Sequence, residues 1–132
     1  MAWTPRTFDP KIRPGLNGNA SAMVKGTLVC LKAAPTVPGT FDLPTGGTSI
    51  PYGVLMADCA SGAMVDVQVR GVALCLGSAA ISAGANVTST NAGKSVTAAQ
   101  HNKVWGIAVS DGEASVLHEV ELAGSCGGSP TH

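Results

Sequence analysis

Ala63-Met64-Val65-Asp66-Val67-Gln68-Val69-Arg70 is the stretch that decides the fold. Val65, Val67 and Val69 fall on one side of an extended chain, and Asp66, Gln68 and Arg70 on the other. That period of two is the mark of a half-buried antiparallel strand. Working outward, Val24 to Leu31, Ile50 to Ala57, Val104 to Val109 and Val116 to Leu122 give further strand candidates. Glycines such as Gly62, Gly71, Gly77, Gly84, Gly93 and Gly112 punctuate them, where turns or bulges need an unhindered φ. Only Ser95 to Lys103 suggests a short helical turn.

A repeat emerges at an offset of 53 residues. Tyr52-Gly53-Val54 with Asp58 matches Trp105-Gly106-Ile107 with Asp111, and Val67-Gln68-Val69 matches Val120-Glu121-Leu122. Gly71 likewise matches Gly124. Two similar hairpin ribbons are therefore expected to pack together. The fold class is all-β, a small β-sandwich or partly open β-barrel. Residues 1–20, with Pro5, Pro10, Pro14, Gly15 and Gly18, read as an extended N-terminal arm, because proline withholds an N–H from any central strand. Residues 21–123 form the β-domain, and the Gly/Ser-rich residues 124–132 a flexible C-terminal tail.

Composition limits function. The 132 residues include only two Trp, one Tyr and two Phe, so the core is thin and association with copies or a partner is a natural source of stability. Eight basic and eight acidic side chains, spread without runs, provide no basic stripe for phosphates, so no nucleic-acid partner is expected. No stretch has the length of a membrane helix, and no membrane partner is expected. No apolar signal-like run follows Met1, which points to synthesis in a reducing cytoplasm with free thiols. Cys30, Cys59 and Cys75 read as buried, and Cys126, in the tail, as exposed.

Chemistry is hard to find. His118 and Glu119 are strand neighbours that point to opposite faces, and no G-x-S-x-G elbow is present. His101, His118 and His132 therefore read as solvated or interface residues. Metal-ligand spacings are absent. Gly93-Lys94-Ser95 imitates the end of a phosphate loop, but Thr88 stands where that motif needs glycine. Asn19-Ala20-Ser21 and Asn86-Val87-Thr88 are glycosylation sequons that stay idle without secretion. The reading expects no catalytic, cofactor-binding or metal-binding residue and no enzyme.

The order of segments carries a resemblance. Lys25-Gly26-Thr27-Leu28-Val29, Tyr52-Gly53-Val54 and Gly62 to Gly71 are followed by Ile81 to Thr88, Trp105-Gly106-Ile107-Ala108 and Val120-Glu121-Leu122. Over roughly residues 22–123 this succession resembles the small cement proteins of tailed-bacteriophage capsids, which share the lambda-type head decoration role. The stretch Pro35 to Gly47 departs from the pattern like an inserted surface loop. The resemblance implies a virion protein, a homotrimer at threefold and quasi-threefold positions on the outside of an expanded head. It also implies the major capsid protein as partner. In that setting the arm would lie across a capsid subunit, with Trp3, Pro5, Arg6, Phe8, Pro10 and Ile12 as the contact residues and Trp3 and Phe8 as anchors. A tail or fibre β-module, or a small β-barrel that binds a ligand or acts as an enzyme, are the rival readings.

Overall fold

The computed structural model describes residues 11–32, 39–45, 49, 51–100 and 102–122. Nine strands are present among them: β1 (Lys11–Asn17), β2 (Leu28–Leu31), β3 (Thr40–Asp42), β4 (Pro51–Leu55), β5 (Met64–Leu76), β6 (Asn86–Ser89), β7 (Ser95–Thr97), β8 (Gly106–Ala108) and β9 (Leu117–Leu122). They run in the order β1-β3-β2-β4-β5-β9-β8-β6-β7, and a further β1–β5 pairing closes the first five into a barrel. The fold is all-β, as the alternation over residues 63–70 requires.

The organising element is β5, thirteen residues long. Its first part pairs with β1 and β4, and its second part, from Gly71 to Leu76, pairs with β9. Gly71 is one of the glycines read as marking a turn or a bulge. It lies within β5 at φ +94°, a region that glycine enters without the Cβ penalty, and the strand there passes from one sheet to the next. The alternation also has one exception. Asp66 and Arg70 are exposed, but Gln68 is buried and its Nε2 donates to the carbonyls of Arg70 and Val72 at 3.1 and 3.0 Å. The amide side chain thus satisfies backbone acceptors on either side of the Gly71 bend.

Two expectations need correction. Residues 11–17, read as part of an extended arm, form β1, which pairs antiparallel with β5 over six residues and parallel with β3 at Leu16 and Asn17. Pro14 is tolerated because β3 reaches β1 only at Leu16 and Asn17. At Pro14 the strand has β5 as its neighbour, so the missing N–H falls on an unpaired side. Ser95 to Lys103, read as a possible helical turn, begins with β7, which pairs antiparallel with β6. The outer parts of the arm and the tail, residues 1–10 and 123–132, lie outside the described residues.

The repeat extends well beyond the residues that revealed it. Leu28 pairs with Val54 in the first half, as Asn86 pairs with Ile107 in the second. The Asp58 carboxylate accepts from the Lys25 N–H at 2.8 Å, and Asp111 accepts from the Ala83 N–H at 2.9 Å. Gly62 and Ser115, also 53 apart, both sit at positive φ, and Ser115 is the one non-glycine residue among those described that does so. Between β2 and β4 the offset changes from 58 to 53 residues, which puts the extra length of the first half in the segment containing Pro35 to Gly47.

Each half has its own core. Phe41, Tyr52, Leu55, Cys59, Val67 and Val69 pack with Met23 and Val29 in the first. Trp105, Val87, Val120, Leu122, Cys75 and Ile81 pack in the second, joined by Leu28 and Val54 from the first half. Strand alternation explains the sharing, since Val29 and Leu55 turn into their own barrel while Leu28 and Val54 turn outward onto the neighbour. The backbone does the same. Gly26 O accepts from Leu76 N at 2.9 Å, and Leu28 N donates to Gly93 O at 2.7 Å. The start of β2 is thus wedged into the second half.

Candidate functional site

Among the described residues the nearest thing to catalytic geometry is a serine–histidine pair. Ser95, on β7, and His118, on β9, place Oγ and Nε2 2.6 Å apart. His118 Nδ1 lies 3.4 Å from the carbonyl of Ser110, so the tautomer assigned from these contacts carries its proton on Nδ1 and accepts from Ser95 at Nε2. This overturns the reading of His118 as solvated or at an interface, since it is only 3 % exposed. The signal was in the sequence. His118, Val120 and Leu122 share one face of β9, and all three are buried while Leu117 and Glu119 are exposed.

The pair lacks what nucleophilic catalysis needs. A carbonyl, not a carboxylate, meets Nδ1, and Ser95 is fully buried, with its Oγ also 3.4 Å from the carbonyl of Leu76. The repeat shows what the pair does instead. His118 stands at the place of Val65, and Ser95 faces it where Phe41 fills the first core. An imidazole held by a serine substitutes for a phenyl ring. Ser95→Ala should therefore cost about 1–3 kcal/mol, because Nε2 is left buried and unpaired. The double variant Ser95→Ala/His118→Phe should recover most of that loss, as a thermal-unfolding cycle over the four proteins would show.

The three described cysteines are poor nucleophiles, each with its pKa raised by burial. Burial pushes the Cys75 thiol up to about 12. Burial also raises the pKa of Cys30, helped by the Asp42 carboxylate. Cys30, expected to be buried, is only partly so, at the edge of an open depression lined by Leu31, Lys32, Asp42 and Leu43. Cys59 and Cys75 are buried as expected, and the three described cysteines are free. Gly93-Lys94-Ser95 forms the turn into β7, with the Gly93 carbonyl bonded to Leu28 N, so it is no phosphate cradle. Among the described residues no three His, Cys, Asp or Glu side chains are grouped to hold a metal ion. Among the described residues no helix is long and apolar enough to cross a membrane.

What the molecule offers is surface. Met64 is 61 % exposed and Leu31 52 %, and Val24, Ile107, Val109 and Val116 are also well exposed. A groove at the seam between the halves is lined by Lys25, Val54, Met56, Gln68, Val72 and Leu74. Of the arm residues expected to contact a capsid, Ile12 lies on β1 and is exposed. Trp3, Pro5, Arg6, Phe8 and Pro10 lie outside the described residues. The six apolar side chains named first, with Ile12, Met56, Leu74 and Leu117, are the exposed large apolar groups among the described residues.

A solved structure, described as the head fiber gp8.5 N base in bacteriophage phi29, is similar at a TM-score of 0.66 and 17 % identity. The alignment covers 86 % of this chain and 95 % of that one. At that identity the likeness is one of fold. No curated protein matches. The sequence profile of a family described as phage cement protein matches residues 16–122, nearly the whole described chain. The chain belongs to the phage cement protein family.

Proposed function

We propose that the protein decorates the outer surface of an expanded phage head, where it bridges neighbouring major capsid protein subunits and braces the shell against the pressure of packaged DNA. Membership of the phage cement family is the observation that carries this reading. Residues 1–10, with Trp3 and Phe8 as anchors and Ile12 at the base on β1, reach across a capsid subunit, and several copies acting together turn weak contacts into firm attachment. Copies assemble as a homotrimer at threefold and quasi-threefold positions, after synthesis in the host cytoplasm.

The test is co-sedimentation with undecorated shells. The protein should pellet with expanded shells of its own phage and stay in the supernatant without them. Failure to pellet with expanded shells of its own phage would remove the reading.

A further inference from the structure

The contact between the two halves leaves one unmatched face at each end of the molecule. In the first half, Val54 and Leu28 are buried, at 1 % and 0 % exposure, because they pack on the second half. The residues that occupy their places in the second half, Ile107 and Asn86, are exposed, Ile107 at 50 %. Val109, two residues along on the same side, is 45 % exposed.

The receiving side shows the same imbalance. On the outside of the second half, Leu76 pairs with Leu117 and the turn at Gly26 lies against them, an added Cβ there standing 2.6 Å from Leu117 Cδ2, so that Leu76 is half-buried and Leu117 38 % exposed. The corresponding pair on the first half is Leu16 with Met64, on the same face of β1 and β5 as Ile12. Nothing in the chain covers Met64 or Ile12 among the described residues, and they are 61 % and 45 % exposed.

Charge divides the same way. Residues 11–70 carry five basic and three acidic side chains, whereas residues 71–122 carry two basic and four acidic. The molecule is neutral as a whole but positive at one end and negative at the other. Lys11 and Arg13 are exposed beside Ile12, and Asp111 and Glu119 are exposed near Val109, whose N–H donates to Glu119 O. Opposite charges at the two unmatched faces favour their meeting and disfavour like-to-like pairing.

We propose that the second half of one copy docks on the first half of another, Ile107 and Val109 against Ile12 and Met64, extending between molecules the contact that joins the halves within one. The match is confined to the rim. Leu16 N already donates to Gly39 O at 3.2 Å, closing the first barrel where β2 opens the second, and Asn86 has no apolar side chain to insert as Leu28 does. The contact between copies is therefore weaker than the internal one and reversible. A head-to-tail contact of this kind closes into a ring when its rotation allows. It supplies the surface through which the assembly proposed above would form, and in that respect rests on that reading.

The test needs no shells, so its failure and that of the decoration role are separable. Sedimentation velocity of the full chain should show association that rises with concentration. Ile107→Glu and Met64→Glu should each weaken it roughly tenfold or more while circular dichroism and melting stay unchanged, both sites being exposed. Mixing the two variants should restore a one-to-one pair, because each keeps the face that the other has lost. A monomeric wild type at every concentration, variants that associate as the wild type does, or a mixture that fails to pair would each overturn the proposal.

Discussion

A chain beginning after residue 17 should fail to fold, whereas one beginning at Lys11 should fold like the full protein. The two truncations differ by β1 alone. That strand pairs with β5 from Lys11 to Leu16 and with β3 at Leu16 and Asn17, and is what closes the first barrel. Without it β3 and β5 present open edges, and Phe41 and Val67, both fully buried, face water. Uncovering two such side chains costs several kcal/mol, on the order of the whole stability of a domain this size. The Asn17 side chain adds to the loss, since its Nδ2 donates to the carbonyls of Ser21 and Ala60 at 3.2 Å and so fastens the chain after β1 to the loop before β5. Far-ultraviolet dichroism and a melting curve would distinguish the two chains. Cooperative melting of the chain lacking β1 would show that the barrel closes without it. Shell binding by the longer chain then tests the proposed arm on its own: it should fold normally yet pellet weakly.

Gly106→Ala and Gly53→Ala should each destabilise by about 3 kcal/mol, lowering the melting temperature by roughly 10 °C. Both residues lie where two strands approach more closely than any side chain permits. A Cβ at Gly53 would stand 2.5 Å from the Gln68 carbonyl oxygen, and one at Gly106 would collide with the Glu121 carbonyl oxygen. The obstacle is backbone in both cases, so no rotamer change relieves it and the β4–β5 or β8–β9 ladder must shift. Gly62→Ala is the control, because nothing lies within 4 Å of its added Cβ. It carries only the cost of a side chain at φ +77°, about 1–2 kcal/mol. Equal losses at all three positions would show that close approach is not what these glycines provide.

Those two glycines also show how far the sequence could be read. Gly53 and Gly106 were the centre of the 53-residue repeat, and Gln68 and Glu121, whose carbonyls they approach, stand in the same register. A pattern visible as letters was a repeated packing contact. Strand positions followed from alternation for the same reason, since a face that must be buried selects aliphatic residues at every second place. β1 escaped because proline is a strong argument against a strand only where both sides are paired, and sequence does not say which sides are. At Gly71 the sequence left turn and bulge open, because positive φ is needed both to end a strand and to bend one, and the structure shows a bend within β5. The Ser95–His118 pair depended on β7 and β9 being brought together across the second core, which no local pattern announces. The sharing of Leu28 and Val54 between halves was likewise beyond local reading.

If this small β-protein holds shell subunits together, as proposed, it must stabilise the shell it binds. The measurement that tests it most directly is the melting temperature of expanded, undecorated shells with and without the protein at saturation. A ligand that binds the assembled shell and not its separated subunits must raise that temperature, and the rise must grow with protein concentration. The account predicts such a rise. A shell that melts at the same temperature while carrying a full complement of bound protein would contradict it.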